Sequence, residues 1–114
     1  MATLVGFALI AAQTSTPDTV DPLVALSANG GSTVGSVTPF FWSALGVAQF
    51  TITGTNGYAS GIRSALASAG IIYAPAFTSS GTYTFTIAGL DALGSPVLVG
   101  GVPVSSTLTL TVAA

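Results

Sequence analysis

Charged side chains are so few in this chain that each can be considered in turn. Asp18, Asp21, Arg63 and Asp91 are the whole set, and there is no Lys, Glu, His or Cys. Asp18 and Asp21 share the segment TPDTVDP, where a carboxylate pair would suit general acid–base catalysis or a weak calcium site. Two carboxylates without a third acidic neighbour make a poor calcium site, and Asp beside Pro is common in turns. We therefore predict a turn there, and a second turn at Asp91 in GLDALG.

Other catalytic and binding chemistries fail for lack of suitable residues. A serine nucleophile needs a neighbouring base, and zinc needs Cys or His ligands, none of which the chain contains. A single Arg cannot supply the basic surface that a phosphate backbone requires. We predict that the chain is not an enzyme, binds no metal or other cofactor, and has no nucleic-acid partner.

Trp42, which follows Phe40 and Phe41, is the residue best suited to bind a small molecule. An exposed indole ring would form a platform on which a sugar stacks, whereas a buried one would fill the space between two sheets. The buried role is the more common one for such an aromatic cluster. We predict a structural core position for Trp42 and keep a surface glycan as an alternative partner.

The composition indicates a protein that neighbouring molecules largely surround. The 114 residues suffice for one core, and we predict a single domain, 1–114. Half of the residues are apolar and 4% are charged, while 16 Thr and 13 Ser supply hydroxyl groups. Soluble proteins ordinarily stay apart because their surfaces are charged, and a net charge of −2 gives little such protection. We expect partners to cover much of this surface.

An apolar run, Leu4 to Ala12, stands at the start of the sequence. It lacks the positively charged residues that begin a secretory signal, and it is too short to span a bilayer. We predict an apolar N-terminal strand or arm over residues 1–12 that is buried or covered by a partner, and no membrane span. The residues predicted to contact the partner are Leu4, Val5, Phe7, Leu9 and Ile10.

Three segments alternate apolar and hydroxyl side chains, as strands with one dry and one wet face do. They are residues 48–53, 82–87 and 107–112. Clusters of Gly, Pro, Asn, Asp and Ser separate these and other short apolar runs. This spacing predicts an all-β protein with seven to eight short strands in two packed antiparallel sheets.

Two shorter segments depart from the alternating pattern. Ile62, Leu66 and Ala69 are spaced for one face of a helix, so we predict at most one short helical turn near residues 60–70. The segment IIYAPAF is predicted to be an edge or bulged strand, because Pro75 cannot donate a hydrogen bond within a sheet.

The segments PAFTSSGTYTFTIAGLDALGS and STLTLTV resemble the C-terminal half of bacterial and phage immunoglobulin-like domains. Gly81 and Tyr83 match the entry to strand F of that family, Asp91 matches the turn that follows, and residues 107–112 match strand G. The resemblance implies an immunoglobulin-like β-sandwich in which the Tyr83 hydroxyl bonds to upstream backbone and Trp42 is the counterpart of the strand C core Trp. The connection after Asp91 is longer than the simple hairpin of the family.

The low charge, the apolar run and this resemblance together predict that the chain is a structural protein of the virion surface. The predicted role is a capsid decoration or cement subunit on a phage head, with the major capsid protein or copies of itself as partner. Two alternatives stay open. One is an extracellular filament subunit that donates residues 4–12 as a strand to the next subunit. The other is a small carbohydrate-binding adhesive module that uses Trp42.

Overall fold

The structure, a computed structural model, describes residues 21–114, so the predicted arm at residues 1–12 lies outside the described part of the chain. Residues 21–114 form an all-β arrangement without helices. The strands are β1 (Leu23–Ser27), β2 (Ser32–Thr33), β3 (Thr38–Leu45), β4 (Gln49–Gly54), β5 (Arg63–Ser64), β6 (Ala69–Ala74), β7 (Gly81–Leu90), β8 (Leu98–Val99), β9 (Val102–Pro103) and β10 (Ser105–Ala113). Consequently, no helix able to cross a membrane occurs in this range.

The strands form two larger sheets and one small hairpin. The first sheet has the order β1-β3-β6 and is antiparallel throughout. The second has the order β2-β10-β7-β4-β5, and its one parallel pair joins β2 to β10. Strands β8 and β9 pair with each other. The prediction that IIYAPAF is an edge or bulged strand is confirmed for residues 71–74, which belong to β6 at the end of the first sheet, whereas residues 75–77 lie outside any strand.

The buried faces of the two larger sheets meet in one aromatic core. Phe40 of β3 contacts Phe85 of β7 edge to face, with ring centroids 4.7 Å apart. Trp42, two residues further along β3, lies 4.3 Å from the ring of Phe50 in β4. Edge-to-face and tilted aromatic pairs add stabilisation beyond that of the area they bury. The middle strand of the first sheet is thereby held against the middle of the second.

The predicted alternation of the Thr-rich strands is confirmed. Phe85 and Ile87 of β7 are fully buried, while the threonines on either side of them are partly or wholly exposed. In β10 the same division separates buried Leu110 and Val112 from their exposed threonines. Thr suits these outer positions because it is β-branched and presents a hydroxyl to water.

The prediction of a helical turn near residues 60–70 is wrong. Residues 63–64 instead pair with β4, and the Ala65 amide donates to the Ala48 carbonyl at 3.0 Å. Ser68 closes a turn with a positive φ of 66°. A helix this short is marginal on its own. The edge of β4 instead provides backbone groups to which residues 63–65 can hydrogen-bond. The expected apolar face is also not the buried one, because Leu66 is exposed and Ala65 is buried.

Residues 21–114 contain ten strands against the predicted seven to eight, and four of the ten have only two residues. These are β2, β5, β8 and β9. Two residues are too few to show an alternating pattern, so such strands leave no periodic signal in the sequence.

Gly70 has a specific packing role opposite Trp42. The two residues are cross-strand partners in β6 and β3, and a Cβ at Gly70 would lie 2.9 Å from Trp42 Nε1 and 3.0 Å from Cζ2.

Gly70→Ala should therefore lower the free energy of unfolding by about 1–3 kcal/mol, because the added methyl group overpacks the core. Denaturant unfolding measures the change. In a Trp42→Phe background the same substitution should cost clearly less, because the clashing atoms are gone. An equal cost in both backgrounds would contradict this role.

Candidate functional site

The charged side chains of residues 21–114 do not assemble into a catalytic or metal site. Asp21, Arg63 and Asp91 lie on separate segments, and no cluster of three or more metal-ligating side chains occurs among the described residues. Arg63 Nε donates to the Ser60 carbonyl at 3.0 Å, which anchors it to its own loop. Asp18, which shares the predicted TPDTVDP turn with Asp21, lies outside the described residues.

Asp91 organises the turn that follows β7. Its Oδ1 accepts hydrogen bonds from the amides of Leu93 and Ser95, each at 2.9 Å. Its own amide donates to the Ser95 carbonyl at 2.8 Å. A carboxylate that caps its own backbone in this way is a turn-forming group. The geometry thus explains Asp91 without any ligand.

Tyr83 ties the start of β7 to the preceding loop. Its hydroxyl donates to the Ser79 carbonyl at 2.7 Å, four residues upstream. Its ring packs on buried Phe77, with centroids 5.1 Å apart. One side chain therefore combines an apolar contact with a backbone hydrogen bond, and it fixes the path of the chain as it enters β7.

Trp42 is 9% exposed and its ring packs against Phe50, so most of the indole is buried, and the remainder lines a cavity of about 390 Å³ beside Gly70 and Ile71. It also belongs to the first sheet, between β1 and β6. Trp42 therefore lies outside the sheet that contains Tyr83, whose strand β7 is flanked by β4 and β10. Its correspondence with the strand C core Trp stays a prediction of the resemblance.

The outer face of the second sheet carries rows of hydroxyl groups. Thr53, Thr86 and Thr107 are neighbours across β4, β7 and β10. Thr84 pairs with Thr109 in the next row, and Thr82 pairs with Thr111 in the row after that. No charged residue interrupts these rows. The face can hydrogen-bond to water or to a polar partner, and it repels neither sign of charge.

One end of the molecule presents large apolar side chains to solvent, and we call it the Leu93 end, defined by Ile62, Leu66 and Leu93. Leu66 and Leu93 are each 92% exposed, and Ile62 is also exposed. Ile62 Cδ1 lies 3.6 Å from the position that a Cβ of Gly94 would occupy, which brings its loop beside that of Leu93. Large apolar side chains that gather into one exposed patch are typical of contact surfaces.

A second apolar surface lies where the described chain begins, and we call it the Leu23 groove. It has a volume of about 260 Å³ and is lined mainly by Pro22, Leu23, Val99, Val102 and Pro103. Leu23, Val99 and Val102 are all at least half exposed. The groove therefore lies between β1 and the β8–β9 hairpin.

The residues predicted for partner contact, Leu4, Val5, Phe7, Leu9 and Ile10, lie outside the described residues. The exposed leucines and valines of the Leu93 end and the Leu23 groove were not anticipated from the sequence. A Leu or Val isolated among Ser, Ala and Gly is the one signal that would have pointed to them. No protein-family model, curated protein or solved structure matches the chain.

The Tyr83 hydroxyl bond can be tested by its removal. Tyr83→Phe keeps the ring on Phe77 and deletes the bond to Ser79, so the free energy of unfolding should fall by about 0.5–1.5 kcal/mol. Tyr73→Phe is the matched control, because Tyr73 is exposed and its hydroxyl makes no hydrogen bond within residues 21–114. Denaturant unfolding of both variants gives the comparison, and equal stabilities would contradict the assigned role of Tyr83.

The burial of Tyr58 predicts that the stability of the protein falls at alkaline pH. Burial raises the pKa of Tyr58 above its ordinary value of 10.0, while Arg63 opposes the shift. The folded state thus favours the neutral phenol, and this stability is complete below pH 10 and is lost as pH rises through the folded pKa. Tyr58→Phe should flatten the fall of the melting temperature above pH 10. A wild-type slope in Tyr58→Phe would refute the assignment.

Proposed function

We propose that this chain is a structural subunit of a virus particle, a decoration or cement protein on the surface of a phage head. It acts by binding and not by catalysis, and its partner is the major capsid protein or further copies of itself. The observation that carries this proposal is the described surface. It has three charged side chains, Asp21, Arg63 and Asp91, and it exposes large apolar groups at loop tips.

The strand order supports the proposal that the chain performs this role as an immunoglobulin-like domain. If β7 is taken as strand F, its neighbours β10 and β4 occupy the places of strands G and C. The other sheet, β1-β3-β6, then takes the places of strands A, B and E. The antiparallel pairing of β7 with both of its neighbours agrees with that assignment.

The Tyr83 contact supports the same assignment. A tyrosine near the start of strand F, with its hydroxyl bonded to backbone a few residues upstream, is a tyrosine corner. Tyr83 is the third residue of β7 and bonds to Ser79 at 2.7 Å. Many unrelated functions use such folds, so the domain type alone decides nothing about activity. The function has to follow from the surface.

The surface chemistry suits a permanent place in an assembly. Charged side chains are costly to desolvate, and the centres of stable interfaces are depleted of them. The Leu93 end presents the almost fully exposed side chains of Leu66 and Leu93, which can insert into an apolar surface of a partner. The threonine rows on β7 and β10 keep the outer face of the second sheet hydrated. An apolar end and a hydroxyl face together give a subunit that is held at one side and displayed at the other.

A filament subunit is the second candidate, because two edges of the first sheet have no partner strand within residues 21–114. In that range β1 and β6 each pair on one side only, with β3. Neither contains a charged residue, and charges are a common means of blocking strand addition at an edge. Such an edge can accept a strand from a neighbouring copy. Polymers formed by the purified chain alone would favour this candidate over particle decoration.

The Leu93 end provides the test of the decoration role. The double variant Leu66→Ser/Leu93→Ser should keep its melting temperature, because both positions are almost fully exposed. Its affinity for emptied particles of the parent virus should fall about tenfold or more, since buried leucine anchors are lost. Cosedimentation with the particles measures both affinity and stoichiometry.

The matched control is Val37→Ser, an exposed apolar position beside the start of β3. It lies toward the opposite end of β7, because Gly35 bonds to Phe77 there and Phe77 packs on Tyr83. This variant should bind the particles like the wild type. A wild-type chain that stays monomeric at high concentration and does not bind the particles would overturn the proposed function.

A further inference from the structure

A cavity of about 390 Å³ lies between β5 of the second sheet and β6 of the first. Trp42 and Phe50, whose rings are 4.3 Å apart, form its buried side. Small residues, Ala67, Ala69 and Gly70, line the part where the chain passes from one sheet to the other. The volume is within the range of small-molecule sites, about 300–1,000 Å³. The cavity therefore has room for a ligand with an apolar body.

Backbone hydrogen bonds hold the connection between β5 and β6 in place. The Ala65 amide donates to the Ala48 carbonyl at 3.0 Å, and the Ser68 amide donates to the Ala65 carbonyl at 3.0 Å. The Ser68 carbonyl in turn accepts from the Ala44 amide at 2.8 Å, which fastens the same connection to the first sheet. Both sheets therefore fix the end of the cavity, and its shape is set before a ligand enters.

Arg63, the one Lys or Arg side chain of the sequence, lines this cavity. It is the cross-strand partner of Phe50, and directly opposed residues of an antiparallel pair place their side chains on the same face. The Arg63 side chain therefore starts from the face of the second sheet that packs against Trp42. Its Nε donates to the Ser60 carbonyl at 3.0 Å, which orients the side chain. The two terminal nitrogens carry the other four N–H groups of the guanidinium.

The polar side chains that line the cavity are hydrogen-bond donors. The guanidinium of Arg63 and the indole Nε1 of Trp42 can only donate. Nε1 lies 2.9 Å from the position that a Cβ of Gly70 would occupy, which places it on the side of the ring toward β6. Ser64 Oγ accepts from the Leu66 amide at 3.2 Å and has its own proton to donate. Donors that include a guanidinium match a carboxylate, which accepts through both oxygens in a bidentate pair.

We propose that this cavity is a binding site for a small carboxylate with an apolar body, such as an arylacetate. The carboxylate pairs with Arg63, and the apolar body covers the edge of Trp42 and the half-exposed side chain of Ile71. A sugar acid fits less well, because its hydroxyl groups also need acceptors and neither Arg63 nor Trp42 provides one. The site is separate from the proposed particle contact, since the three residues that define the Leu93 end do not line it.

Trp42 reports on this site directly, because it is the one Trp of the chain. In a proton–nitrogen correlation spectrum its indole N–H gives a single resonance, and titration with phenylacetate should shift that resonance to saturation. Phenylacetamide keeps the apolar body without the charge, and acetate keeps the charge without the body. Each should bind at least tenfold more weakly than phenylacetate. An equal affinity for either control ligand, or the lack of a saturable shift with phenylacetate, would overturn the proposal.

Arg63→Gln tests the charge contact. The dissociation constant for phenylacetate should rise at least tenfold, while the melting temperature should change little because Arg63 is exposed. Ile62→Ser is the matched control, since it alters the neighbouring exposed residue, which does not line the cavity. This variant and Leu66→Ser/Leu93→Ser should both bind phenylacetate like the wild type, which separates the site from particle binding. A wild-type affinity in Arg63→Gln would refute the proposal, whatever the particle-binding experiment shows.

Discussion

The contact between β3 and the middle of the second sheet is the interaction on which the other features depend. Phe40 meets Phe85, and Trp42 meets Phe50, within one layer of side chains. A domain of this size has a single core, so these rings supply a large part of the apolar area that it buries. The close fit also explains why Gly stands at position 70, where a methyl group would meet the indole ring.

The core also determines what the surface can be. Once alternate residues of β7 and β10 face inward, the intervening positions must face outward, and here they are mainly threonines. Hydroxyl groups keep such a sheet hydrated without charge, but they provide little repulsion between molecules. The loops between strands add exposed leucines and valines to this uncharged surface. A surface with few charges and exposed apolar side chains favours contact with neighbouring molecules.

Local chemistry made part of the site predictable. Asp91 lies in a Gly-bearing turn and Tyr83 follows a Gly at the start of an alternating strand, and both make bonds to backbone within four residues. Trp42 was predictable as a core residue, because a cluster of three aromatic residues is costly to expose. Its sheet was not predictable. The assignment to one sheet or the other depends on strand pairing over long sequence separations, which a single sequence does not encode locally.

The sequence by itself determined the all-β class, the inward and outward faces of the long strands, and the absence of Lys, Glu, His and Cys side chains. These follow from period-two alternation and from residue types, which need no knowledge of distant neighbours. The tertiary structure decided that residues 63–64 add to the edge of β4 instead of forming a helical turn. It also decided which exposed apolar residues come together, at the Leu93 end and in the Leu23 groove. The physical reason is that both outcomes depend on segments far apart in the chain, brought side by side only when the two sheets close on their common core.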